Sequence, residues 1–266
     1  MKGIGAVLID IDGVLTVSWK ALPGAVAAME RLRAAGLPLV LVTNTTSRTR
    51  ASVAGRLAEE GFPVGADDIL TAPAVTAAYL RAHHPHARCR LINSGEVGAD
   101  LAGVTLVGEE AGDEGGEPPE VIVFGGAGEA FSYPALNSAF RQLQRGARLV
   151  AMHRNLYWRT ADGLDLDTGA FLPGLERAAG VEATVTGKPA EAFFATALAH
   201  VGAPAAEALM VGDDIESDVL AAQRCGITGV LVRTGKYLPE AHRAADGTPD
   251  HVLGSFADLP GLLGLT

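Results

Sequence analysis

The sequence predicts an α/β fold, a parallel sheet covered on both faces by helices, with a second α/β domain inserted into it. Three observations predict it. Apolar runs of strand length alternate with segments of helical period. Those runs are continuous Val/Ile/Leu stretches rather than in-and-out alternations. The regular rhythm lapses from about residue 80 and resumes only near residue 184. Continuous apolar strands are buried on both faces, as in sheets whose strands are joined by crossover helices. The expected boundaries are 1–80 and 183–266 for the parent domain and 81–182 for the insertion.

Element by element, residues 4–9 (IGAVLI) read as the first strand. A helix follows over 24–35, with Pro23 near its start and Gly36 at its end. "LPLVLVTN" is a second buried strand. Ser47 is expected to cap a helix that runs through Glu60 and stops at Gly61. In the middle, "RAHHPHARC" and "GEEAGDEGGEPPE" read as loops, "VIVFGG" and "ARLVAM" as strands, and 133–145 as a helix. Near the other end, Pro189 opens the helix "PAEAFFATALAHVG" and "ALMVGDD" is a strand. "SDVLAAQRCG" is a helix expected to be capped by Ser217, and "GVLVRT" is a further strand.

Composition narrows the function classes. The chain has 266 residues, 48% of them hydrophobic, enough for a full core. A formal net charge of −10 repels nucleic-acid backbones and anionic lipid, so neither nucleic acid nor membrane is an expected partner. The N-terminus enters a strand directly, without the charged and apolar regions of a signal peptide. The two cysteines, Cys89 and Cys225, lack metal-type spacing. A cytoplasmic protein with reduced thiols is the expectation.

Four apolar runs end in groups that bind phosphate or metal. The first ends Asp10-Ile11-Asp12-Gly13 and the second Thr43-Asn44. "EATVTGKP" places Lys188 before a helix, and a fourth run ends Gly212-Asp213-Asp214. In an open α/β sheet such endings converge on one crevice. Asp10 and Asp12, two residues apart on a strand, lie about 6–7 Å apart on one side. With Asp213, Asp214 and Asp218 they put up to five carboxylates near one lysine. Like charges at that spacing repel by a few kcal/mol, so either some stay protonated or a cation neutralises them. All-oxygen ligands favour a hard ion, with Mg²⁺ first.

Reactivity then suggests roles. Asp10, last on the strand, is the candidate nucleophile on phosphorus, and Asp12 the candidate acid and base. Gly13 allows a tight turn and close approach of backbone N–H groups. Thr43, Asn44 and Lys188 would bind the phosphoryl oxygens. Asp213 is a second metal carboxylate. Asp214 and Asp218 either complete the metal shell through water or orient Lys188.

The ordered set "DIDGVL", "VTN", "GKP" and "GDDIESD" resembles the four motifs of the haloacid dehalogenase (HAD) superfamily of phosphohydrolases. The insertion resembles the C2-type α/β cap domain of its NagD-like branch. "YWRTADGLDLDTGAFLPGLERAAGVEATVTGKP" is most similar to that branch's phospholysine/phosphohistidine inorganic pyrophosphate phosphatase group. The resemblance implies a HAD-like Rossmannoid core and aspartyl-phosphate hydrolysis of a small phosphorylated metabolite or pyrophosphate. It also implies Mg²⁺ held by the Asp10 carboxylate, the Asp12 backbone carbonyl and Asp213, and it admits a homodimer formed through the cap domain. Where NagD relatives carry Thr-Asn or Thr-Asp, this chain has Met152-His153. His153, Tyr157, Trp158 and Arg159 are candidates for leaving-group selection, with packing inside the cap domain as the other reading. A phosphoacceptor that signals with slow or no turnover is the alternative function. The insertion and Asp12 weigh against it.

The remaining signals read as structure. His83-His84-Pro85-His86 lacks helical metal-ligand spacing and reads as a solvated loop. "GGAG" at 125–128 lacks the dinucleotide-binding spacing and reads as a tight turn.

Overall fold

A computed structural model describes residues 3–111, 116–159 and 163–265, except for the Arg159 side chain. The chain opens with β1 (Ala6–Asp10), a small ribbon of β2 (Thr16–Val17) and β3 (Lys20–Ala21), and helix α1 (Ala25–Ala34). Then come β4 (Leu39–Thr43), α2 (Arg50–Glu59), β5 (Ile69–Thr71) and α3 (Ala72–His83). The middle carries β6 (Arg88–Ile92), β7 (Thr105–Val107), β8 (Val121–Phe124), α4 (Tyr133–Gln144) and β9 (Arg148–Ala151). It ends with a hairpin of β10 (Tyr157–Arg159) and β11 (Leu164–Leu166), then α5 (Thr168–Ala179) and β12 (Thr184–Val185). The last stretch holds α6 (Glu191–Val201), β13 (Ala208–Gly212), α7 (Ala221–Arg224), β14 (Thr228–Val232) and β15 (His251–Leu253).

Two compact units result. The first comprises Met1–Thr43, Arg50–Leu70 and Lys188–Thr266, and the second Asn44–Thr49 and Thr71–Gly187. The first unit's sheet runs β15-β14-β13-β1-β4-β5, and β1 pairs in parallel with both β13 and β4. Val7 and Ile9 pack with Leu41, Val211 and Val230 against Met29 and Leu32 of α1 and Leu57 of α2. Phe193 and Phe194 of α6 are fully buried as well. The period-two split of a fully apolar strand between two helical layers is what a covered parallel sheet requires.

The second unit's sheet runs β12-β9-β8-β6-β7, parallel throughout. Ile122, Phe124 and Leu149 pack with Leu143 of α4 and Leu172 of α5. On the other face, Ala77 and Leu80 of α3 pack with Cys89, Val121, Val123 and Val150. That contact moves α3 out of the parent unit. The compact division falls at Leu70/Thr71 and Gly187/Lys188, rather than at the expected 80/81 and 182/183.

Two expected helix starts also shift. Helix α2 begins at Arg50, three residues after Ser47. Beyond β13, the Asp214 carboxylate, not Ser217, accepts the N–H groups of Glu216 and Ser217 and opens a wide π-type turn over Ile215–Leu220. Among the described residues, no helix is long and apolar enough to cross a membrane.

Candidate active site

The first unit gathers its charges where β1 and β13 end. Asp10 is the last residue of β1 and Gly212 the last of β13, adjacent strands in parallel register. Both strands therefore deliver their succeeding residues to one edge of the sheet. Gly13 takes φ +88° in a turn where its N–H donates to the Thr16 carbonyl at 2.7 Å. A Cβ at Gly13 would overlap the Asp213 carboxylate, and one at Gly212 would overlap Asp218. Neither carboxylate could occupy its place beside a larger residue.

Lys188 is buried between two acids. Its Nζ donates to Asp10 Oδ1 at 2.5 Å and to Asp218 Oδ1 at 2.7 Å. Burial alone would lower its pKa, but these two carboxylates reverse the effect and raise it. Burial raises the Asp10 pKa despite the opposing Lys188. Burial pushes Asp218 up to about 6 against the pull of Lys188, with Asp10 adding to the rise. Asp213 is pushed up to about 8, first by burial and then by Asp10 and Asp218. Its Oδ2 accepts the Lys236 backbone N–H at 2.6 Å, while its buried Oδ1 has no hydrogen-bond partner. Such an atom is costly to leave unmet unless something else occupies it.

That orphan oxygen provides the fit test for a cation. Asp10, Asp213 and Asp218 each offer a carboxylate oxygen, and the three atoms lie within 4.8 Å of one another. A buried, oxygen-only set with excess negative charge suits Mg²⁺. The residues present fit the ion. The Asp12 carboxylate is not part of this group, and its expected metal contact is through its backbone carbonyl. Burial raises the Asp12 pKa, opposed first by Lys236 and then by Lys188.

The other expected residues divide between the two units. Thr43 is buried at the end of β4, in the first unit. Asn44, the next residue, belongs to the second. Asp218 holds Lys188 directly. Asp214 is committed to the π-type turn, where the Ser217 and Glu216 N–H groups outweigh burial and lower its pKa. In the second unit His153 is buried, its Nδ1 accepting the Asn155 N–H and its Nε2 lying 3.7 Å from Asp167 Oδ2. Tyr157 and Trp158 are exposed, and the Arg159 side chain lies outside the described residues.

Sequence reading missed the turn Thr234-Gly235-Lys236. Its signal was present, because this segment also follows an apolar run and carries one of only four lysines in the chain.

Comparison with known proteins supplies the class. The haloacid dehalogenase-like hydrolase family matches residues 7–106, and the related HAD-hydrolase-like family matches residues 185–259. The chain belongs to the haloacid dehalogenase-like hydrolase family. It is 39% identical over 236 residues to human haloacid dehalogenase-like hydrolase domain-containing protein 2, covering 89% of this chain and 86% of that protein. It is 37% identical over 267 residues to the phospholysine phosphohistidine inorganic pyrophosphate phosphatase of Xenopus laevis, covering 96% and 93%. Among solved structures, the p-nitrophenyl phosphatase from Archaeoglobus fulgidus is similar with a TM-score of 0.87 and 30% identity, covering 97% of this chain and 99% of that one.

Proposed function

We propose that this chain is a Mg²⁺-dependent phosphatase that hydrolyses a small phosphorylated metabolite or pyrophosphate through an aspartyl-phosphate on Asp10. The observation that carries the reading is the triple carboxylate cluster, two of whose members hold Lys188, with Asp213 Oδ1 left unpartnered. Mg²⁺ would be held by Asp10, Asp213 and the Asp12 carbonyl, and supplies charge neutralisation at the phosphoryl oxygens.

Each residue then has a distinct role. An Asp10 carboxylate oxygen forms the new bond to phosphorus, and the bond from phosphorus to the leaving oxygen breaks with its electron pair going to that oxygen. Asp12 delivers the proton to it, and the upward direction of its pKa, set by burial, is the one a general acid needs. Asp12 then takes a proton from the water that attacks phosphorus, which frees phosphate and regenerates Asp10. Lys188, fixed by Asp218, stays protonated throughout and offsets the negative charge that builds on the phosphoryl group. Thr43 and Asn44 bind phosphoryl oxygens in this scheme. The free thiols of Cys89 and Cys225 are in keeping with a reducing, cytoplasmic setting.

A phosphate-release screen tests the reading. It covers p-nitrophenyl phosphate, pyrophosphate, sugar phosphates, nucleotides, pyridoxal phosphate and phospho-amino acids, each with Mg²⁺ and with chelator. Release that requires Mg²⁺ is expected. Release undiminished by chelation, or none from any substrate, overturns it, and a long-lived phosphate on the protein without release would favour the phosphoacceptor alternative.

A further inference from the structure

The turn after β14 brings a second lysine to the carboxylates, and its situation is the opposite of Lys188's. Three contacts fix the turn. Thr234 Oγ1 donates to the Gly13 carbonyl at 2.5 Å, and the Lys236 N–H donates to Asp213 Oδ2 at 2.6 Å. Gly235, at φ +59°, lies so close to Gly13 that a Cβ would overlap both Gly13 and Asp213. The root of the Lys236 side chain is thereby locked against the Asp10–Gly13 turn. Lys236 as a whole is exposed and makes no ion pair among the described residues, while against burial Asp10, Asp213 and Asp218 act on its charge and raise its pKa. Among the cations acting on the Asp12 carboxylate, Lys236 ranks ahead of Lys188.

We infer that Lys236 contacts the departing half of the substrate and selects leaving groups that carry negative charge, of which phosphate leaving pyrophosphate is the simplest. The inference rests on the phosphatase reading above. Asp12 protonates the leaving oxygen, so an exposed cation rooted beside Asp12 stands on the leaving-group side. Lys188 cannot serve there, because its ammonium is buried on Asp10 and Asp218. An anionic leaving group entering a site with this many carboxylates meets repulsion unless a cation faces it. Lys236 is that cation. When the bridging P–O bond breaks, its electron pair goes to the leaving phosphate, Asp12 protonates the bridging oxygen, and the ammonium offsets the charge that remains. An aryl leaving group offers the ammonium no such partner.

The test compares Lys236→Met and Lys236→Arg with the wild type on pyrophosphate and p-nitrophenyl phosphate in Mg²⁺. Met keeps the backbone N–H on Asp213 and removes a cation that competes for the carboxylates, so the Mg²⁺-induced rise in Tm should be at least as large as in the wild type. For Met, kcat/KM on pyrophosphate should fall at least about tenfold, the scale of one charge-assisted hydrogen bond. On p-nitrophenyl phosphate, which shares only the effect of Lys236 on Asp12, the loss should be several-fold smaller. Arg, which keeps the charge, should recover most of the loss. Equal losses on both substrates, unchanged turnover of pyrophosphate, or a wild type active on the aryl ester but not on pyrophosphate would overturn the inference. A wild type inactive on both substrates, with and without Mg²⁺, would instead sink the phosphatase reading itself.

Discussion

Both units end a parallel sheet in polar residues, but one leaves its charges unmet and the other closes its polar groups on each other. In the first, Asp10, Asp213 and Asp218 converge, Lys188 meets only the first and last of them, and Asp213 Oδ1 has no hydrogen-bond partner among the described residues. In the second, Asn93 follows β6 and accepts the Gly126 N–H at 2.7 Å while donating to the carbonyls of Thr46 and Gly95 at 3.1 and 2.9 Å. Asp167 accepts from Ala127 and Thr168, and the Thr168 hydroxyl donates to the Gly125 carbonyl. The strand order of this second sheet reverses between β6 and β8, the position where open α/β sheets bind ligands. Here the chain's own Thr46 takes that place. Position at the carboxyl end of a sheet is thus not sufficient for a site; an uncompensated charge is also needed.

The change expected to have the largest effect, Asp10→Asn, acts on the first side of this contrast. It removes the nucleophile, so phosphate release should fall by at least about 10⁴-fold. The fold should survive, because an amide oxygen at position 10 can still accept from Lys188 and the lost ion pair is offset by removing one of three mutually repelling carboxylates, so Tm in chelator should stay close to the wild type. Near-wild-type turnover would show that the cluster is a structural feature like the second unit's network.

How much of this was legible in the sequence depends on what decides each feature. Asp10, Lys188 and Asp213 could be read because each ends or follows an apolar run, and a charge there has few structural reasons to exist. Lys236 follows such a run too, but its role depends on Gly235 packing onto Gly13, 222 positions away in the chain, which no local pattern encodes. The placement of α3 was hidden for a related reason. Its apolar residues suit either sheet, and only the packing of Ala77 and Leu80 on β6, β8 and β9 decides it. Ser217 and Asp214 are both good capping residues, and the wide turn over Ile215–Leu220 put the choice one turn earlier than the helix period suggested. His153 is buried with its Nε2 3.7 Å from Asp167 Oδ2, a pairing that no local pattern encodes.

A smaller effect lies in the coupling of protons to Mg²⁺. Asp213 is raised from the ordinary carboxylate value to about 8 and Asp218 to about 6, so the folded, metal-free protein binds protons that the unfolded chain does not. The stability this contributes is full below the ordinary carboxylate pKa and is lost as pH rises through about 6 and then about 8. Tm in chelator should therefore fall as pH rises from the ordinary carboxylate range, about 4, to about 8 and level off above it. Mg²⁺ competes with the same protons, so its affinity should weaken by up to about tenfold for each pH unit below about 8. The Mg²⁺-induced rise in Tm should accordingly grow with pH. A rise in Tm that is independent of pH would mean that the ion does not displace the Asp213 proton.

The smallest effect is expected from Asn93→Ala, which probes the second side. It leaves the Gly126 N–H without its acceptor and the Thr46 and Gly95 carbonyls without their donor. Partly buried groups left unmet should cost about 1–3 kcal/mol, or a drop of several degrees in Tm for a chain of this size. These groups bond to one another within the second unit, so the Mg²⁺-induced rise in Tm and its pH dependence should be unchanged. Measuring both quantities on one variant separates the two sheet edges: a network satisfied within itself yields stability when cut, whereas a charged cluster yields ion binding. If Asn93→Ala abolished the response to Mg²⁺, the two edges would be one system, and the contrast between them would fail.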